Sequence, residues 1–247
     1  MNTFLPTIGI LGGMGPHASL RFCEELIRLS MEQHGAKRNA DFPHFLLSNL
    51  PVSDFIADRS DEERAVAMVE EEAKRLEIAG ADFLVIACNT MHLHIDRFRA
   101  AVTIPFLSMV DAVVREVLAD GSKRVGLLGS LTTMSSNLYL PLERAGVETI
   151  VPLPKQQHEL VDIILRIIEG KKTDDDREHV RAIISGLRHR GAEGVILGCT
   201  ELPMLFQKTD NRNNGVIYDS LSILARASAE KMYAGCPRPF PNILPCV

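Results

Sequence analysis

Two cysteines occupy matching places in two similar segments of the chain. In residues 80–90 and again in residues 191–201, a Gly-Ala pair leads into an apolar run that ends at a cysteine followed by polar residues. The two cysteines are Cys88 and Cys199. A thiol with a pKa near ~8.5 needs only a modest downward shift to act as a base at neutral pH. Two opposed thiols could therefore move a proton from one face of a carbon atom to the other.

Each cysteine is expected at the C-terminal end of a buried strand and close to a helix N-terminus. That position favours thiolate over thiol because of the helix dipole. The side chains that follow, Asn89 and Thr90 in one copy and Thr200 and Glu201 in the other, can orient a substrate carboxylate. A redox disulfide is the alternative use of the pair. It requires sulfur atoms ~2 Å apart, whereas thiols flanking a substrate carbon would lie ~7 Å apart.

Metal binding is a competing interpretation of the first copy. Cys88, His92 and His94 form a C-x3-H-x-H pattern to which Cys199 could add a ligand. Zinc sites prefer spacings that converge on one point, and His94 would point elsewhere, so we expect no metal. For His92 two roles stay open: a hydrogen-bonded residue at a helix start, or a residue that tunes Cys88.

The glycine-rich loop at residues 12–18 suggests nucleotide binding only weakly. Read from Gly13, it fits a loose G-x-G-x-x-A fingerprint, but the second strand ends without the acidic residue that would hold a ribose. We interpret the loop as a strand-to-helix turn whose backbone N–H groups face a small anion such as a carboxylate. A tight turn without a ligand stays open.

The resemblance between the two halves extends to the elements that would position the cysteines. The segments 8–14 and 125–131 are each a short strand running into a small-residue loop, and strands at 45–49 and 149–153 take equivalent second positions. Helical patterns, with apolar residues at three- and four-residue spacing, cover 62–79, 112–119, 176–190 and 220–233. This alternation predicts an α/β fold of two pseudo-symmetric lobes. Each lobe is a parallel sheet flanked by helices, and the site lies in the cleft between them.

The composition fits this interpretation. A chain of 247 residues with 46% hydrophobic content can bury a sizeable core, and no segment approaches the roughly 18 apolar residues of a membrane span. The net charge of −5 argues against nucleic acid or an anionic membrane as a partner.

An odd count of five cysteines and a start unlike a signal peptide predict thiols in a reducing cytoplasm. Cys23 reads as a core residue, whereas Cys236 and Cys246 flank a proline-rich tail that is expected to lack regular structure.

Three motifs resemble those of the cofactor-independent aspartate/glutamate racemase family. They are Gly-Gly-Met-Gly-Pro at 12–16, Cys-Asn-Thr-Met-His at 88–92 and Gly-Cys-Thr-Glu at 198–201. The two cysteine motifs together are specific, the glycine loop much less so, and the match extends to about residue 234. The resemblance implies an isomerase that racemises an acidic amino acid, aspartate or glutamate. It implies no pyridoxal phosphate, metal or nucleotide cofactor, and a homodimer.

The same resemblance implies how the chain divides into lobes. The last helix is expected to cross back, so that the first lobe comprises residues 1–108 plus 219–247 and the second lobe residues 109–218. The helix that follows Asp111 then belongs to the second lobe.

The resemblance also implies roles for individual residues. Cys88 and Cys199 would exchange the acid and base roles between the two enantiomers, while Met14 and Gly15 line the site through backbone contacts. The residues implied to hold the α-carboxylate are Asn89, Thr90, Ser130, Thr133 and Thr200.

Two cations are implied for the side-chain carboxylate of the substrate, Arg59 and Lys171. A guanidinium suits that role because it binds a carboxylate in a bidentate manner. Arg59 lies among acidic residues and could instead be solvated at a helix start, and Lys172 is an alternative to Lys171. His92 and Glu201 are expected to make the two thiols unequal.

Two other functions stay open. Another proton-transfer enzyme of the same superfamily, such as a hydantoin racemase or a maleate isomerase, would use the same paired thiols on a different acid. A non-catalytic amino-acid-binding protein is the alternative outside enzymes, and the presence of both cysteines argues against it.

Overall fold

The structure is a computed structural model of the chain, and it describes residues 5–53, 59–206 and 215–234. Two separate parallel sheets, each flanked by helices, make up the fold, so the predicted α/β architecture is confirmed. The proline-rich tail with Cys236 and Cys246 lies outside the described residues.

The first sheet contains three parallel strands in the order β2-β1-β3. Every residue of β1 and β3 is buried, as expected for strands covered on both faces. The strands are β1 (Ile8–Gly12), β2 (Phe45–Asn49) and β3 (Phe83–Ile86). Helices α1 (Pro16–His34), α2 (Glu62–Ile78) and α3 (Ile95–Ala101) follow these strands in turn along the chain.

The second sheet contains four parallel strands in the order β5-β4-β6-β7. They are β4 (Arg124–Leu128), β5 (Glu148–Ile150), β6 (Gly194–Leu197) and β7 (Val216–Asp219). The remaining helices are α4 (Met109–Ala119), α5 (Leu131–Ser135), α6 (Leu140–Arg144), α7 (Pro154–Ile168), α8 (Asp174–His189) and α9 (Ser220–Tyr233). Of the described helices, none is both long and apolar enough to cross a membrane.

Element ends differ from the sequence prediction where proline or a capping residue decides them. The strand predicted at 149–153 ends at Ile150, because Pro152 has no N–H to donate to a ladder. Helix α8 begins at Asp174, since Thr173 forms a capping box with Asp176. Helix α4 begins at Met109 because the Ser108 hydroxyl accepts from the Asp111 N–H at 3.1 Å.

Two helices pack on a sheet other than the one formed by the strands that precede them in the chain. Helix α9, the last described, packs against α1, and its residues Leu221 and Leu224 share a buried core with Ile8 and Phe22. Helix α4 packs on the second sheet, and its buried residues Val113 and Val117 share a core with Val125 of β4. We use "first lobe" for the first sheet with the helices on it, and "second lobe" likewise. The exact boundaries given above stay a prediction.

Candidate active site

The two cysteines lie just beyond the carboxyl ends of corresponding strands, Cys88 after β3 and Cys199 after β6. Both carry thiols, and both are largely buried, with exposed fractions of 9% and 8%. They line one cavity, to which both lobes contribute. Parallel α/β sheets form ligand sites at this edge, so the position of the cavity is compatible with the predicted site.

Most of the predicted site residues line this same cavity. They are Met14, Cys88, Asn89, Thr90, Ser130, Cys199, Thr200 and Glu201. Four lining residues were not predicted: Ser53, Met91, Ile168 and Gly198. Ser53 and Ile168 carried no signal in the sequence, whereas Met91 and Gly198 belong to the two cysteine motifs and could have been included on that ground.

Glu201 joins the second lobe to the glycine loop of the first. Its Oε2 accepts hydrogen bonds from the Cys199 thiol at 3.2 Å and from the Thr200 hydroxyl at 3.0 Å. Its Oε1 accepts from the Gly15 N–H at 3.1 Å. The loop N–H predicted to face an anion thus faces a carboxylate that the protein itself supplies.

Burial disfavours the charged forms of Glu201 and Cys199. It raises the pKa of the Glu201 carboxyl above its usual value. Burial, followed by the charge of Glu201, raises the pKa of the Cys199 thiol well above its usual range, and the nearby Cys88 adds to the effect. The protonated form of the Cys199 thiol is therefore favoured in this structure.

His92 lies behind Cys88 and is fully buried. Its Nδ1–H donates to the Cys88 carbonyl at 2.7 Å, and its Nε2 accepts from the Met109 N–H at 3.0 Å. Burial lowers the pKa of the imidazole to about 4. The ring is therefore neutral near pH 7, and its two contacts tie the Cys88 turn to the start of α4.

Asn89 is held by a chain of buried hydrogen bonds from the second lobe and α9. The Tyr139 hydroxyl donates to its Oδ1 at 2.7 Å, and its Nδ2 donates to the Ser220 hydroxyl at 2.9 Å. Ser220 in turn donates to the Leu197 carbonyl at 2.8 Å, at the end of β6. The chain ties the Cys88 turn to the strand that leads to Cys199.

Tyr139 and Ser220 were missed by the sequence analysis. Ser220 had a usable signal, because it opens a helix directly after a strand that adjoins β6. Tyr139 had none, since it lies in an irregular connection before α6.

Three hydroxyl groups meet across the cleft. Thr90 Oγ1 lies 3.4 Å from Ser130 Oγ and 3.3 Å from Thr133 Oγ1. Ser130 also caps α5, accepting from the Thr133 N–H at 3.2 Å. These neutral groups can donate hydrogen bonds to a bound carboxylate without adding charge to the site.

The glycine loop is held tightly by its neighbours. The Gly13 N–H donates to Ser19 Oγ, and the Ser19 hydroxyl donates to the Gly15 carbonyl, both at 2.9 Å. Gly13 has φ +94°, and a Cβ there would lie 2.2 Å from the Leu50 carbonyl oxygen. Only glycine fits this close approach, which brings the loop up to the cavity.

The two predicted cations have partners outside the cavity. Arg59 binds Glu62 through Nε at 2.7 Å and Nη2 at 2.5 Å, with about half of its side chain exposed. Lys171 pairs with Glu169 at 2.8 Å and is mostly exposed. The alternative, Lys172, donates to the Met204 carbonyl at 2.6 Å. None of the three is among the described cavity-lining residues.

The histidine pattern does not converge on one point. His94 bonds to Glu62 at 2.8 Å, whereas both ring nitrogens of His92 are engaged with backbone groups. Across the described ranges, no group of three or more His, Cys, Asp or Glu residues could hold a metal ion.

A two-lobed α/β protein with one thiol from each lobe in a shared cavity is the class that this geometry defines. The model of the Asp/Glu/Hydantoin racemase family matches residues 11–228, and the chain belongs to this family. The resemblance drawn from the motifs is thereby confirmed, and with it the prediction of an enzyme of the racemase type.

Individual relatives agree with this. The broad specificity amino-acid racemase RacX of Bacillus subtilis is 26% identical over 92% of this chain and 98% of its own length. An aspartate racemase homologue from Pyrococcus horikoshii is 32% identical, with a TM-score of 0.76 over 92% of this chain and 98% of that one. The aspartate racemase of Picrophilus torridus is 29% identical, with a TM-score of 0.77 over 92% and 93%.

Proposed function

We propose that this protein is a cofactor-independent amino-acid racemase that interconverts L and D enantiomers by proton transfer between two thiols. The observation that carries the proposal is that Cys88 and Cys199, one from each lobe, line the same cavity. Family membership supports the reaction class.

In the proposed reaction, one cysteine enters as thiolate and removes the α-proton of the substrate. The other cysteine, as thiol, delivers its own proton to the opposite face of the α-carbon. The first sulfur ends protonated and the second deprotonated, so the mirror-image substrate reacts with the roles reversed. No redox change or co-reactant is needed.

The difficult step is the ionisation of a weakly acidic Cα–H. Negative charge develops on the α-carboxylate as the proton leaves, and donors that already point at it lower the barrier. Thr90, Ser130 and Thr133 form the neutral hydroxyl group suited to this role. The side chain of Asn89 is already bonded to Tyr139 and Ser220, so we assign it to positioning the Cys88 turn.

Substrate entry requires the lobes to separate. The cavity has a volume of about 30 Å³, enough for one or two water molecules and not for an amino acid. Closure after binding then excludes water and brings the second thiol to the substrate.

An acidic amino acid, aspartate or glutamate, is the proposed substrate class. Arg59 or Lys171 would bind its side-chain carboxylate after exchanging partners. Both cations are in exposed ion pairs, which are weak enough to be replaced by contacts with a substrate. The similarity to the aspartate racemase of Picrophilus torridus supports this class, and the similarity to RacX supports testing neutral amino acids beside it.

The test is incubation of the protein with single L- or D-amino acids in deuterium oxide, without added cofactor. Optical inversion and deuterium uptake at Cα are measured. We expect inversion with label incorporation, and a loss of roughly 10²–10⁴-fold or more in Cys88→Ala and Cys199→Ala. Each variant should still exchange the α-proton of one enantiomer only. Cys23→Ala, in the core of the first lobe, is the matched control and should stay active.

Racemisation that survives either cysteine substitution would contradict the two-thiol mechanism. Inversion of hydantoins, or isomerisation of maleate, in place of amino acids would favour the neighbouring activities of the superfamily. Calorimetric binding of aspartate with no solvent exchange would indicate a binding protein. The homodimer stays a prediction, which sedimentation equilibrium would test.

A further inference from the structure

The residue two positions after each cysteine differs between the lobes. Thr90 follows Cys88 and Glu201 follows Cys199, so one half carries a neutral hydroxyl where the other carries a carboxylate. Both residues line the cavity. Only the second is able to hold a full charge beside its thiol.

The contacts of Glu201 come from both lobes. Cys199 and Thr200 donate to Oε2 from its own turn, and the Gly15 N–H donates to Oε1 from the glycine loop of the first lobe. The contact with Gly15 can exist only while the two lobes are together. A Cβ at Gly15 would lie 2.8 Å from Oε1, so the loop and the carboxylate meet at close range.

The pair formed by Cys199 and Glu201 can share one proton. Either the thiol donates to the carboxylate, or the carboxyl group donates to a thiolate. A thiolate beside a carboxylate would place two negative charges in a buried site, which is strongly disfavoured. The hydrogen bond from Gly15 favours the carboxylate form, and so the thiol form of Cys199.

We propose that Glu201 is a positioning residue that keeps Cys199 protonated in the closed state, so that Cys88 is the sulfur that carries the base in the resting enzyme. This inference rests on the proposed two-thiol reaction. The Gly15 contact makes the effect depend on closure: separation of the lobes removes the donor that holds the carboxylate in place.

The charged and titratable neighbours of Cys199 are few among the described residues. Glu201 faces it from its own turn and Cys88 faces it from the first lobe. The groups opposite, Thr90 and Ser130, are neutral hydroxyls. The protonation of Cys199 is therefore expected to follow Glu201 first and Cys88 second.

A kinetic consequence separates this role from a structural one. The equilibrium constant of a racemisation is unity, so kcat/KM must be equal for the two enantiomers in every variant. Unequal thiols can therefore appear only as unequal kcat and unequal KM in the two directions. Removal of the charge of Glu201 should change the ratio of the two kcat values and leave the two kcat/KM values equal to one another.

The decisive experiment is alkylation with iodoacetamide over a range of pH, read separately for each cysteine by peptide mass spectrometry. Glu201→Gln keeps the size and the acceptor for Gly15 but removes the charge. We expect the pH midpoint for Cys199 to fall by about one unit or more, while the midpoint for Cys88 moves less. Glu159→Gln, on α7 with a half-exposed side chain, is the matched control and should shift neither midpoint.

Equal shifts at both cysteines, no shift at Cys199, or an unchanged ratio of kcat values in Glu201→Gln would overturn the proposal. Should this variant fail to fold, as judged by circular dichroism, Glu201→Asp provides the second test. It keeps the charge but shortens the side chain, so it should lose the contact with Gly15 and change the ratio of the two kcat values. A wild-type kcat ratio together with a wild-type Cys199 midpoint would also overturn the proposal. Because alkylation needs no substrate, it tests Glu201 even when no racemase activity is found.

Discussion

The two thiols are equivalent in the fold but not in their surroundings. Behind Cys88 lies the neutral ring of His92, which binds backbone groups on both sides. Beside Cys199 lies the carboxylate of Glu201, which binds the thiol itself. The pseudo-symmetry of the sheets therefore places two sulfur atoms in equivalent positions, and the proposed role of Glu201 is to give them different proton affinities.

The largest effect that would test this comparison is the pH dependence of stability. The pKa of His92 falls from 6.5 to about 4 on folding, because burial disfavours the imidazolium. The unfolded chain therefore binds more protons, and the stability due to His92 is present above pH 6.5 and is lost as the pH falls towards 4. The loss amounts to about 3 kcal/mol. Glu201 acts in the opposite sense: its raised pKa favours the folded state at low pH, and this contribution is lost as the pH rises.

Urea unfolding between pH 4 and pH 8 measures how the unfolding free energy changes with pH at the acidic and at the basic end of this range. In His92→Gln the loss of stability on acidification should shrink, whereas in Glu201→Gln the loss on raising the pH should shrink. His158→Gln, at an exposed position, is the control for the first variant. Identical pH profiles for His92→Gln and the wild type would contradict the assignment of a buried neutral imidazole.

Tyr139→Phe should have an intermediate effect, confined to the Cys88 side. It removes the donor to Asn89 Oδ1 and leaves a buried acceptor unpaired, which costs about 1–2 kcal/mol of unfolding free energy. The alkylation rate of Cys88 should change while that of Cys199 stays near the wild-type value. Equal changes at both cysteines would show that the hydrogen-bond chain does not distinguish the two turns.

The smallest effects on stability are expected at the cations. Arg59→Ala and Lys171→Ala break exposed ion pairs and should leave the unfolding free energy nearly unchanged. The informative measurement is KM for aspartate or glutamate against KM for a neutral amino acid. A rise in KM confined to the acidic substrates would support the predicted role. KM values equal to those of the wild type for all substrates would show that these cations do not contact the substrate.

Much of the fold follows from local pattern. The strand at Phe45–Asn49 and the helix at Ser220–Tyr233 have the ends that the sequence predicted, because apolar periodicity and flanking turn residues are encoded within a few positions. The two cysteines could be predicted as a pair because the repeat places each at the carboxyl edge of the sheet in its own half. The strand predicted at 149–153 is too long at its C-terminal end, because Pro152 cannot donate a hydrogen bond to a neighbouring strand.

The contacts that complete the site could not be predicted in the same way. Gly15 with Glu201 and Asn89 with Ser220 join residues more than a hundred positions apart, and their geometry depends on how the lobes pack. A motif identifies which residues are near the chemistry but not which of them are already bonded to each other. Asn89 illustrates this, because the motif does not reveal that its amide oxygen accepts from Tyr139 and its amide nitrogen donates to Ser220.

The packing of α4 on the second sheet and of α9 on the first sheet makes the folding of each half depend on the other half. A fragment that ends before α9 would lack Leu221, Leu224 and their neighbours, which pack in the hydrophobic core of the first lobe. We therefore expect that neither half folds when it is expressed alone. The molecule should therefore melt in one cooperative transition.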